Sequence, residues 1–323
     1  MLQNIEISTP LNDTVSELCF SPVADYLAAS SWDGQTRVWE VQANGQTVAR
    51  TSIQHDQQNP ALCCTFSKDG TKVVSGGTDK AVRILDLNSN QTMVLQGHEG
   101  PVKCVKWAES MSPIVISGSW DKTVKYWDLR SPNPAASVTL PERCYTMDVQ
   151  YPHLVVGTAE RNILIFNLSN QSLVKNTVSP LKHQTRTISC FPDGKGYAVG
   201  SVEGRVGIEY FDEKNSKCHR EGNNIFAVNS ISFHPFYGTF STAGSDGAYA
   251  YWDKDSKSRL KTPTSVGNPI TSTAFNRNGT IFAYATGYDW HKGHEHHTQG
   301  TKNTIRLHAV TDSEIKPKGF KKR

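Results

Sequence analysis

Hydrophobic positions in this chain fall in short runs separated by turn-forming clusters. Val102–Trp107 and Ile114–Ser117 are rich in β-branched and other apolar residues, and Thr123–Trp127 alternates polar with apolar. The clusters Glu109-Ser-Met-Ser-Pro113, Trp120-Asp-Lys122 and Ser131-Pro-Asn-Pro134 punctuate these runs, which therefore read as strands joined by turns. The same punctuation returns elsewhere as Ser67-Lys-Asp-Gly70, Pro192-Asp-Gly194, His234-Pro-Phe-Tyr-Gly238 and Asn276-Arg-Asn-Gly279.

The runs are copies of one unit. The clearest copy is Gly118-Ser-Trp-Asp-Lys-Thr-Val-Lys-Tyr-Trp-Asp128, echoed by Ser31-Trp-Asp-Gly-Gln-Thr-Arg-Val-Trp-Glu40, Gly77-Thr-Asp-Lys-Ala-Val-Arg-Ile-Leu-Asp86 and Gly244-Ser-Asp-Gly-Ala-Tyr-Ala-Tyr-Trp-Asp253. Fainter copies begin at Ala159 and Val202, and the last is Asn303-Thr-Ile-Arg-Leu-His308. Six copies carry a turn acid (Asp33, Asp79, Asp121, Glu160, Glu203, Asp246) and, six residues on, a usually large side chain (Trp39, Leu85, Trp127, Phe166, Glu209, Trp252). The step is about 43 residues, inside the range of roughly 40–45 that a WD40 blade occupies.

Seven such units consume the chain. The pattern predicts an all-β fold, one seven-bladed WD40 β-propeller over residues 1–315, with blades near 14–53, 60–98, 101–140, 143–180, 185–224, 227–265 and 269–312. The alternating segment Asn4–Ser8 is expected to supply the outer strand of blade 7, removing an edge that would invite aggregation. Residues 316–323 are left as a basic tail. Gly97-His98 precedes Trp127 at the spacing of a Gly-His…Trp-Asp signature, so His98, Ser117 or Ser119, Asp121 and Trp127 are expected to share one buried hydrogen-bond network. That role is structural; the blade geometry accounts for the His98/Asp121 pair without catalysis.

Composition narrows the function. A chain of 323 residues with 37% hydrophobic residues can bury a substantial core, and a net charge of +4 is too small to argue for nucleic acid on its own. Seven cysteines, an odd number with no CxxC spacing, sit mostly in apolar runs and read as reduced, buried thiols of a cytosolic or nuclear protein. No signal-like segment opens the chain and no apolar run is long enough to span a membrane. GxSxG, GxxxxGK[ST], HExxH and a helix-opening GxGxxG are all missing, and the recurring carboxylates are turn residues, so neither enzymatic activity nor a cofactor is expected.

Several stretches carry a resemblance to a known family: Gly118–Asp128, Leu140-Pro-Glu-Arg-Cys-Tyr145, Gly157-Thr-Ala-Glu-Arg161, Ser179-Pro-Leu-Lys-His-Gln184, Val202-Glu-Gly-Arg-Val206 and Ala227-Val-Asn229. Across residues 4 to 318 the chain resembles the WD-repeat mRNA export factors of the nuclear pore, propellers that hold the GLEBS hairpin of a nucleoporin. Many of these stretches are also similar to the mitotic checkpoint propeller, which binds GLEBS motifs of checkpoint kinases. Gln42–Thr47, Trp252–Asp255, Leu260–Thr262 and above all Tyr288-Asp-Trp-His-Lys-Gly-His-Glu295 resemble the export branch. The resemblance implies a nuclear and pore-associated protein, also cytoplasmic, acting as a monomer within a heteromeric complex, with the checkpoint role as the alternative.

Binding is expected on the rim. Trp32 and Trp120 lie in the loops between second and third strands, where they cannot fill a core between sheets and would serve as partner anchors or pack on neighbouring loops. Lys122, Arg143, Arg161, Arg186 and Arg205 fall near strand ends and could clamp an acidic hairpin. Blade 7 carries an insertion of about 13 residues beyond the mean step, and long loops on rigid scaffolds tend to be functional. The resemblance assigns a partner surface to its Asp289, Trp290 and Lys292. His291, His294, His296 and His297 are read as a surface histidine run, not a metal site. Single-stranded RNA is a further candidate partner, through basic surface or the tail, although no RRM or KH signature is present.

Overall fold

A computed structural model describes residues 4–7, 11–109, 113–211, 226–296 and 302–317. The chain forms seven antiparallel sheets, six of them built from consecutive strands and the seventh from the last three strands and the first. It is a seven-bladed β-propeller. Blade 1 comprises Val15–Phe20, Tyr26–Ser31, Gln35–Val41 and Thr47–Gln54, here called strands a to d from the inside outward. Blades 2, 3 and 4 repeat this order from Ala61–Phe66, Val102–Glu109 and Cys144–Gln150. In blade 5, strands Thr185–Cys190, Gly196–Ser201 and Val206–Tyr210 are described, whereas the predicted outer strand and Cys218 lie outside the described residues.

Blade 6 divides its outer strand into Ser258–Arg259 and Thr264–Ser265, both paired with Ala248–Asp253. Blade 7 takes three strands from the end of the chain, and the fourth is Ile5–Glu6, whose Ile5 and Glu6 pair with Leu307 and Arg306 of Thr304–Ala309. The expected strand exchange is therefore present over these residues; Ser8 lies outside the described set.

Apolar residues that alternate along the strands have sheets on both sides, and the core is consequently partitioned. Seven clusters of buried apolar side chains fill the seven junctions between blades. Trp39 packs with Ala283 and Ile305 of blade 7, and Trp127 with Cys63 and Val74 of blade 2. The six described cysteines are unbridged and all but Cys19 are fully buried. No helix is long and apolar enough to cross a membrane.

Because neighbouring strands are antiparallel, the b–c loops and the d–a connections emerge on the same face. Every a strand shifts register after its first paired residue, a bulge that leaves one residue per blade outside the ladder: Ser16, Leu62, Lys103, Tyr145, Arg186, Asn229 and Thr271. These seven form a ring at the end of the a strands nearest the b–c loops.

Candidate binding face

The b–c turns of blades 1 to 6 share a backbone device. The third residue after strand b is left-handed in each: Gly34, Lys80, Lys122, Arg161, Gly204 and Gly247. The preceding acid supports the turn. Asp121 accepts Thr123 N–H at 2.9 Å, Thr123 Oγ1 at 2.6 Å and Glu99 N–H at 3.0 Å. His98 donates Nδ1–H to Asp121 (2.7 Å) while its Nε2 accepts from Ser117 Oγ (2.7 Å), which in turn accepts the Trp127 indole N–H (2.7 Å). Burial favours the neutral imidazole and pulls the His98 pKa down against the opposing pull of Asp121. Burial alone would raise the Asp121 pKa, but Thr123 and His98 hold it below the ordinary value.

The structure thus brings His98, Ser117, Asp121 and Trp127 together and chooses Ser117 over Ser119, whose hydroxyl instead caps Gly100 O and Asp121 N–H. Sequence reasoning missed a second copy in blade 2. There His55 joins Asp79 (3.0 Å) to Ser75 (2.8 Å), and Thr36 of blade 1 completes the chain at 2.7 Å. The spacing from His55 to Asp79 was the available signal, masked because no glycine precedes His55 and Leu85 stands where the tryptophan would.

Blade 7 departs from its neighbours. Its acid, Asp289, comes one residue later than the others, and the left-handed residue that follows it is Trp290. Asp289 is buried. One of its oxygens accepts from Asn229 Nδ2 (2.8 Å) and Ser245 Oγ in blade 6, and the other accepts from His291. Burial would raise its pKa, yet these hydrogen bonds hold it below the ordinary carboxylate value. Asp289 is therefore the base on which the loop rests. Trp290 is partly exposed and lies 6.1 Å from Trp32 between ring centroids, so the structure pairs two tryptophans that were assigned separately. Trp120, in blade 3, is similarly exposed. Lys292 is exposed beside Trp290.

The basic residues differ in what already occupies them. Lys122 is paired with Glu142. Arg161 donates to Leu181 O at 2.9 Å, and Arg205 stands 3.7 Å from Glu203. Arg143 and Arg186 have no side-chain hydrogen bond or ion pair among the described residues, and both are reached by solvent. The surrounding blades desolvate Arg186 and pull its pKa down, with the charge of Asp289 acting in the opposite direction. In the same ring, Asn229 Oδ1 and Thr271 Oγ1 are buried without a partner among the described residues. No three His, Cys, Asp or Glu side chains converge as a metal site among those residues, and His297 lies outside them.

The family model "WD domain, G-beta repeat" matches residues 6–40, 47–86 and 89–128. The "Poly(A)+ RNA export protein" of Schizosaccharomyces pombe is 50% identical, over 99% of this chain and 94% of its own. The "mRNA export factor GLE2" of Chaetomium thermophilum is 48% identical, over 98% and 92%. "Protein Rae1" of Drosophila melanogaster is 44% identical, over 98% and 96%. Among solved structures, "Structure of U3-55K" superposes with a TM-score of 0.82 over 95% of this chain and 98% of that one at 14% identity, a likeness of fold.

Proposed function

The chain belongs to the WD-repeat mRNA export factor family, and from that premise we propose that it is a non-enzymatic platform that holds the GLEBS hairpin of a nucleoporin and so brings messenger RNA export to the nuclear pore. The protein then works in the nucleus, at the pore and envelope, and also in the cytoplasm, as one copy within a heteromeric complex.

The observation that carries this reading is the ring around Arg186. A guanidinium without an ion partner sits there with two buried polar atoms, Asn229 Oδ1 and Thr271 Oγ1, that lack hydrogen bonds among the described residues. Because Arg186 is reached by solvent and has no ion partner among the described residues, a carboxylate of an incoming chain can pair with it without displacing an existing partner. Arg205 and Arg143 extend the positive surface to either side; Arg161, Lys122, Trp120 and the Asp289–Lys292 loop form its margin. Planar guanidinium groups suit carboxylates because two parallel hydrogen bonds form at once.

The reading is tested by titrating a GLEBS peptide into the full chain and into R186E/R205E. Truncating a buried, hydrogen-bonded charge pair costs ~2–5 kcal/mol, so the double variant is expected to bind at least ~30-fold more weakly with an unchanged circular dichroism spectrum. Equal affinity of the two proteins, or no binding by the unaltered chain at tens of micromolar, overturns it.

A further inference from the structure

We propose that Trp32 and Trp290 together form a stacking platform for bases of single-stranded RNA, and that the Asp289 anchor exists to hold it open. This deepens the export reading by naming a surface for the RNA.

Three features support it. First, the rings are 6.1 Å apart at 35°, and the buried Tyr288 ring lies 5.6 Å from Trp290. Two partly exposed aromatic faces on adjoining loops offer flat surfaces, and base–aromatic stacking is tolerant of sequence because every base has a π face. Second, the frame is fixed before any ligand arrives. Trp32 N–H donates to Thr14 O (2.9 Å), and the buried Thr14 hydroxyl donates to Tyr288 O (3.2 Å), so one residue holds both loops. The Tyr288 hydroxyl donates to Gly293 O (2.6 Å), and Gly293 N–H closes back on Trp290 O (3.0 Å). Asp289 ties the turn to blade 6 through Asn229 and Ser245. Third, Trp290 occupies a left-handed conformation, φ 62°, that disfavours a bulky side chain and that glycine or a long cation fills in the other turns. A tryptophan in that position is strained, and its use lies in what it displays.

The charge and the side-chain types around the two rings bear on the occupant. Asp33, the nearest acid of the blade 1 turn, is neutralised by Arg37 at 2.7 Å, and the Asp289 carboxylate is buried. Lys302 is paired with Glu6 at 2.6 Å, and Lys292 is exposed on the insertion, with Glu295 as its one exposed acid among the described residues. The exposed large hydrophobics of these two loops are both tryptophans, and no aliphatic residue joins them as an anchor pocket for a peptide would require. A phosphate backbone carrying flat bases matches this surface.

The experiment is fluorescence anisotropy at low salt with a labelled ten-nucleotide oligoadenylate RNA and an abasic strand of equal length. The full chain is expected to prefer the adenylate strand, and W290G, whose new residue suits the left-handed turn, to lose about tenfold or more of that affinity. W290F is expected to restore most of it. The slope of log affinity against log salt should not change, because stacking releases no counterions. W290G should keep the circular dichroism spectrum and the denaturation midpoint of the unaltered chain, because glycine suits the left-handed turn. Equal binding of adenylate and abasic strands, or full RNA affinity in a W290G that keeps its fold, would overturn the platform. The hairpin titration stands or falls separately on R186E/R205E.

Discussion

His234 shows how a single protonation state is written into the fold. Its ring is buried, and its Nδ1 accepts two backbone N–H groups, from Phe236 and Tyr237, each at 3.2 Å. Gly279, left-handed at φ 71°, lies so close that a Cβ there would stand 2.1 Å from His234 Nε2. Desolvation is the main cause of a pKa lowered to about 4 from 6.5, with Gly279 and Asp312 pulling weakly the other way. A depressed folded-state pKa means that the stabilisation is complete above about 6.5 and is lost as pH falls towards about 4. His98 adds to the loss with the same sign. Urea titrations between pH 7.5 and 4.5 are expected to show stability falling by roughly 2–3 kcal/mol from His234 alone, while H234Q starts lower and declines less. A decline of equal steepness in both proteins would remove His234 from this role. The sequence placed residues 234–238 in a turn, but which histidine is buried and neutral depends on contacts from residues 279 and 312. Gly97-His98 was legible only because its partner acid sits in a regular repeat.

At the scale of the element, legibility follows how closely each blade keeps to the shared turn. The acid and the residue six positions later identify blades 1 to 4 and 6. Blade 5 was harder to read, since Glu209 stands at the aromatic position; it is buried, and burial raises its pKa. Blade 7 hid its acid altogether. Asp289 is displaced by one residue and leads into an insertion, and the sequence offered it as a contact for partners when its hydrogen bonds point inward. Closure of the same blade was readable from the alternation of Asn4–Ser8, and it carries energetic weight. Ile7 is buried in the cluster that joins blades 7 and 1, and its N–H donates to Ile305 O at 2.9 Å. Burying one isoleucine contributes ~1.5–3 kcal/mol, to which the pairing with Thr304–Ala309 adds. A chain lacking residues 1–7 is therefore expected to unfold about 3 kcal/mol more easily in denaturant and, with the Thr304–Ala309 edge uncovered, to self-associate in sedimentation velocity. Unchanged stability would show that closure rests on the junction packing without the strand.

Across the whole molecule, the a strands hold the ring together by a device that no repeat pattern reveals. The side chain at the first paired position after the bulge reaches across to the next blade: Glu17 accepts Cys64 N–H (3.1 Å), Thr146 accepts Ile188 N–H (2.9 Å), Ser230 accepts Thr273 N–H (3.1 Å), and Ser272 accepts Leu18 N–H (2.9 Å). Cys63 and Cys104 occupy this position in blades 2 and 3, so thiols read only as small apolar residues lie in a ring of ties. Deeper in, Lys106 of blade 3 stands 3.4 Å from Glu17 of blade 1 and 3.6 Å from Asp148 of blade 4, whose other oxygen accepts Cys190 N–H of blade 5 at 2.7 Å. One ammonium thus links blades that share no junction. Burial would lower the Lys106 pKa, but Glu17 and Asp148 hold it well above the ordinary value, so it stays charged. Removing that charge leaves two half-buried carboxylates near one another without the cation between them, a loss tempered by their partial exposure. K106M is therefore expected to lose about 1–2 kcal/mol at pH 7. The triple variant E17Q/K106M/D148N should lie closer to the unaltered chain. A triple variant no more stable than K106M would mean that the lysine stem, rather than its charge, fills the centre of the ring.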